Sequence, residues 1–140
     1  MKKIILSFLI LICLVGCASY KFDRTKFDTI MNGNFSHMLE IGDDELKSSY
    51  KLDLTKFNEH VFKVSYEDPV NVYIALKYIN KKEAKKEIEK FIQTLEIKYD
   101  KDNQDRINKG EIITIDNYLI YIVSDKNDEI IKEIKDKMTK

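Results

Sequence analysis

Two arginines, two histidines, two cysteines and a single proline are all that 140 residues contain of these types. Each scarcity closes a class of function. Arg24 and Arg106 alone can present the planar guanidinium that grips a carboxylate or phosphate at two points. His37 and His60 leave little material for imidazole catalysis. No Gly-x-Ser-x-Gly, His-Glu-x-x-His, phosphate-cradling glycine loop or dinucleotide fingerprint is present. Cys13 and Cys17 both fall near the N-terminus, so everything after them lacks a disulfide and a cysteine metal ligand. Charge of one sign is missing too: 24 basic residues face 24 acidic ones, which argues against a nucleic-acid partner.

Long apolar runs are also absent, with one exception at the start. Met1-Lys2-Lys3 makes a positive opening, and Ile4 to Val15 follows as an apolar stretch of signal-peptide length. Leu14, Val15, Gly16 and Cys17 then fit the lipobox pattern: Leu three residues before the bond, a medium residue, a small Gly, and the cysteine. Its chemistry uses each position, because the Cys17 thiol takes a diacylglyceryl group and Gly16 admits the peptidase. The competing reading is an uncleaved anchor, since Ile4 to Tyr20 carries no charge over 17 residues and a spanning helix needs roughly 17–25. Gly-Cys placed directly after the apolar run favours cleavage and lipidation. The expected division is a signal peptide over 1–16, a lipidated cysteine and tether over 17–26, and one domain over 27–140. Both readings put that domain outside the cytoplasm, on the extracytoplasmic face of a membrane. The mature chain of 124 residues would carry a charge of about −2 and bury roughly two-thirds of its unfolded surface.

Hydrophobic period supplies the elements. Phe27, Ile30 and Met31 share helical spacing before the turn cluster Asn32-Gly33-Asn34, and Phe35, Met38 and Leu39 are expected to pack on the core from an irregular segment. Acids at 43–45 suit a helix start, so a helix is expected over 43–51. Residues 60–66 and 70–79 alternate as strands around the turn that holds Pro69. In the second of these, Asn71, Tyr73, Ala75 and Lys77 face the opposite way from Val72, Ile74 and Leu76, predicting a wetter sheet face. A helix from Asn80 to about Tyr99 carries the stripe Ala84, Ile88, Phe91, Ile92 and Leu95. After a polar stretch over 100–110, with a helical turn around Gln104, come the runs 111–115 and 118–123, joined at Asp116-Asn117 as a hairpin. A last helix bears Ile130, Ile131, Ile134 and Met138. The fold class expected is α+β: a mainly antiparallel sheet with helices packed on one face, its order suggesting a repeated ββα unit after an N-terminal helical segment.

With Leu46, the segment Tyr50-Lys51-Leu52-Asp53-Leu54, the charged helix over 81–99, and Ile107 through Ser124 with Asn117-Tyr118 in view, residues 43–138 resemble the small bacterial lipoproteins of the domain of unknown function 4358 family. Where that family carries a Pro-containing stretch after the long helix, Asp100 to Gly110 here has none. The resemblance implies a membrane-anchored extracytoplasmic domain and brings no reaction with it.

Candidate sites in the body are few. Glu59 and His60 are adjacent, and strand neighbours point to opposite faces, so they would not converge as a catalytic pair. Asp100, Asp102, Asn103 and Asp105 lack the glycine and terminal glutamate spacing of a calcium loop, and helix capping explains them better; no metal and no cofactor are expected. Tyr73 and Lys77, on the wetter face, are the candidate partner surface. The functional expectation is a non-enzymatic binding or accessory module of the cell envelope, held to the membrane by lipid on Cys17 and acting on an unidentified envelope protein or ligand. The alternatives are an envelope enzyme or enzyme subunit without a familiar motif, or an inhibitor or immunity-type lipoprotein that uses a sheet edge.

Overall fold

The computed structural model describes residues 20–139. Five strands form one antiparallel sheet: β1 (Met38–Glu40), β2 (Phe57–Ser65), β3 (Val72–Tyr78), β4 (Glu111–Ile115) and β5 (Tyr118–Val123), in the order β1-β2-β3-β5-β4. Around it lie α1 (Arg24–Asn34), α2 (Asp43–Ser48), α3 (Lys81–Lys98), α4 (Lys101–Asn108) and α5 (Asn127–Met138). The class is α+β, as the strand and helix periods predict.

Local chemistry accounts for the boundaries. Asn80 caps α3 by accepting from the Glu83 N–H at 3.1 Å, and Asp100 does the same for α4 with the Asn103 N–H at 3.0 Å. That cap explains one acid of the 100–105 group without an ion. The β4–β5 hairpin turns at Asp116, whose φ of 55° lies in the left-handed region that Asp tolerates better than most residues. The residues after the long helix, read as mostly irregular, form all of α4, with Ile107 as its one buried side chain.

The expectation of helices on one sheet face is corrected. Helices cover both. On one face Phe62, Ile74, Leu76, Leu119 and Tyr121 pack against Leu46 of α2 and Ala84, Ile88, Phe91 and Leu95 of α3. On the other, Val61, Tyr73, Ala75, Ile120 and Ile122 pack against Phe27, Ile30 and Met31 of α1 and the stripe of α5. The physical reason is in the central strands. Every residue of β5 is buried, as are the first five of β3, so neither face can be left to water. Each fully buried Leu, Ile or Phe contributes about 1.5–3 kcal/mol, which makes an uncovered second face far costlier than a longer α1. Asn32-Gly33-Asn34, read as a turn, is the last turn of α1: the Asn34 amide donates to the Ile30 carbonyl at 2.8 Å and to Glu133 at 3.0 Å.

The two-faced arrangement also bears on the repeated ββα plan. The chain does run strand, strand, helix twice, with α4 added to the first unit. A rotation normal to the sheet could exchange hairpin β2–β3 with β4–β5, but it would keep both helices on one face. Since α3 and α5 lie on opposite faces, the units repeat in order and not in symmetry.

Residues 20–26, expected as part of a tether, pack on the body. Tyr20 forms a β-bridge with Thr139, Lys21 N–H donates to the Met138 carbonyl at 3.0 Å, and Phe22 stacks on Tyr118 with centroids 3.7 Å apart. Residues 20–26 therefore belong to the body. No helix among the described residues is long and apolar enough to cross a membrane.

Candidate functional site

The sheet has two ends with different chemistry. At one, β5 begins with Tyr118 beside Lys77 of β3, and the N-terminal segment is fastened there through Phe22. At the other, β5 ends at Val123 beside Val72, and the chain passes through Ser124 into α5. A groove of about 570 Å³ opens at this second end, lined by Arg106, Lys109, Glu111, Ser124, Asp125 and the first turn of α5.

Arg106 organises it. Nη2 donates to Asp68 Oδ2 at 2.7 Å and Nη1 to Asp68 Oδ1 at 3.3 Å, a two-point grip across the β2–β3 turn. The side-chain Oδ1 atoms of Asn103 and Asn71 accept from the same guanidinium, and Asp125 Oδ1 lies 3.7 Å from Nε. The hydrogen bond from Arg106 holds the Asp68 carboxyl below its usual range, against the opposing effect of partial burial. Position follows from sequence: Asp100 caps α4, which carries Arg106 one and a half turns on, and the Tyr121 hydroxyl donates to the Ile107 carbonyl at 3.2 Å to pin that turn to β5. Asn127 ties the far wall, accepting from Ser124 N–H at 2.7 Å and donating to the Lys109 carbonyl at 3.1 Å. The result is a polar, mixed-charge recess in which the guanidinium of Arg106 is already matched. Such a recess can recognise a polar surface.

Both histidines lie elsewhere. His60 Nε2 meets Asp43 Oδ1 at 2.8 Å, whereas Glu59 turns to the opposite face, accepting from the Tyr118 hydroxyl at 2.7 Å. The two do not converge, as strand alternation predicts. His37 Nδ1 meets the Tyr66 hydroxyl at 2.6 Å and its Nε2 lies 3.3 Å from Glu67, all on an exposed corner. Among the described residues no group of three or more His, Cys, Asp or Glu is placed to hold a metal ion.

The candidate partner surface at Tyr73 and Lys77 is also corrected. Tyr73 is 2 % exposed, wedged between Phe27 and Phe35 of the α1 segment, and burial pushes its hydroxyl up to about 12. Lys77 keeps about a third of its side chain in water, 3.7 Å from Glu59. The two share a sheet face, but α1 and α5 cover the Tyr73 end of it. Leu39, expected in the core, is 55 % exposed on the edge strand β1. The Arg106–Asp68 grip had one sequence signal, the rarity of arginine; Asp68 had none. Leu14, Val15, Gly16 and Cys17 lie outside the described residues. No protein-family model, curated protein or solved structure matches the chain.

Proposed function

We propose that this chain is an extracytoplasmic lipoprotein, anchored through lipid on Cys17, whose α+β body serves as a non-enzymatic binding or accessory module of the cell envelope. The observation that carries the reading is the lipobox Leu14-Val15-Gly16-Cys17 set three residues before Tyr20, the first described residue of the body. Two acyl chains on one cysteine hold firmly, at about 0.8 kcal/mol per buried methylene, where a single chain would bind only reversibly. Support for a binding role over a catalytic one comes from the dispersal of the candidate side chains. Arg106 is engaged by Asp68, His60 by Asp43 and His37 by Tyr66, each on a separate part of the surface. The polar groove beside Arg106 is then the recognition surface on offer.

Cross-linking in intact cells, with the neighbours identified by mass spectrometry, tests it. A neighbour captured by the native protein, lost in Cys17→Ala and weakened in Arg106→Ala, is the expected result. A captured neighbour indifferent to both substitutions, or none at all, contradicts the accessory role.

A further inference from the structure

We infer that the end of the domain built from Tyr20, the first turn of α1 and the last turn of α5 lies directly on the phospholipid headgroups, so that the Arg106 groove points away from the membrane. The inference rests on the reading of Cys17 as the lipidated residue and adds an orientation to it. Its first support is reach. Tyr20 stands three positions after Cys17, and an extended chain covers at most about 3.3–3.6 Å per residue, so the tether reaches at most roughly 11 Å. A body of this size has a radius of gyration of about 14 Å. A leash shorter than the radius of the body it holds cannot lift that body clear of the surface.

The second support is where the leash is tied. Tyr20 and Lys21 are bonded to Thr139 and Met138, and Phe22 is stacked on Tyr118, so the attachment point cannot swing around the domain. The C-terminal end of α5 must sit next to the bilayer. The third is charge. Lys21, Lys26 and Lys135 are exposed at this end, and none forms an ion pair among the described residues; the Lys26 ammonium donates only to the Lys137 carbonyl, at 3.3 Å. Asp23, the one acid on the connecting segment, is occupied in capping α1 through Lys26 N–H. Ammonium groups placed in this way suit the phosphates of an anionic leaflet. From Met138 back to Asn127, α5 rises about 1.5 Å per residue, which sets the groove up to about 17 Å further from the surface.

The test uses the full precursor, processed in cells and reconstituted into vesicles of phosphatidylglycerol and phosphatidylethanolamine. The mature domain has no cysteine beyond Cys17, whose sulfur is alkylated, so an introduced cysteine is the sole reactive thiol. A fluorophore on Thr25→Cys or on Lys126→Cys reports quenching by nitroxides on the lipid headgroups. With Thr25 beside Lys137 in the last turn of α5 and Lys126 just before its first turn, quenching at residue 25 should exceed that at residue 126 severalfold. Replacing Lys21, Lys26 and Lys135 together by Gln, or using phosphatidylcholine alone, should reduce the contrast while the protein stays anchored. Equal quenching at both positions, in protein whose mass confirms lipid on Cys17, overturns the orientation and leaves the anchoring intact. An unlipidated Cys17 overturns both.

Discussion

Gly110→Ala should be among the most damaging small changes in this chain. Gly110 links α4 to β4, and a Cβ there would lie 2.7 Å from both Cε2 and the hydroxyl of Tyr121 and 2.8 Å from Cγ2 of Val123. Real carbon contacts do not come so close. Neither neighbour can yield, since Tyr121 is 1 % and Val123 is 2 % exposed. Overpacking of this kind costs about 1–3 kcal/mol. Displacing Tyr121 also strains its hydroxyl's bond to the Ile107 carbonyl, worth about 0.5–1.5 kcal/mol. A combined loss of about 2–4 kcal/mol in a domain of this size lowers Tm by roughly 6–15 °C. Thermal unfolding followed by circular dichroism measures it. The Tyr121→Phe variant alone should cost about 1 kcal/mol, and the double variant less than the sum, because the shortened ring removes one of the three close contacts. A Gly110→Ala protein that melts within 2 °C of the parent would refute the packing argument, as would strict additivity in the double variant.

Tyr73→Ala should destabilise the body by about 3–5 kcal/mol in urea titration, as a core aromatic does; a loss under about 1 kcal/mol would return Tyr73 to the surface. Asp68→Asn should flatten the acid limb of the stability curve. Because Arg106 lowers the folded pKa of Asp68 below 3.8, their pairing contributes fully above that value and is lost as pH falls through the folded one. With both side chains partly in water the effect is at most about 1 kcal/mol at neutral pH, and a parent and variant with identical unfolding curves from pH 5 to 2 would remove the pair from the account. Tyr50, Tyr73 and Tyr118 are pushed up to about 12, chiefly by burial. These three should resist ionisation in an ultraviolet titration until the fold fails. The folded state holds the protons that the unfolded state releases, so stability should fall as pH rises from 10 to 12. A titration in which all tyrosines ionise together near pH 10 without unfolding would contradict their burial.

The elements legible in the sequence are those whose period is long and clean. The α3 and α5 stripes, the β3 and β5 runs and the Asp116 hairpin all stand where hydrophobic spacing puts them. What spacing could not show is which elements share a face. Tyr73 and Ala75 read as a wet surface because Asn71 and Lys77 flank them, yet Asn71 falls just before β3 and Lys77 near its end. Only the covering helix decides the middle, and α1 looked brief because Asn32-Gly33-Asn34 imitates a turn. The ion pairs were hidden for another reason. His60 finds Asp43 across 17 positions and Arg106 finds Asp68 across 38, separations at which no local pattern survives. The N-terminal segment misled in the opposite direction, since Tyr20 and Phe22 look like tether until Thr139 and Tyr118 are seen beside them.

The membrane anchorage on which both proposals rest can be read from one intact mass. Protein extracted from the membrane fraction should begin at Cys17, have lost residues 1–16, and carry the added mass of at least two acyl chains on that residue. A chain recovered with Met1 or Lys2 at its start, or an unmodified Cys17 in the soluble fraction, would contradict it.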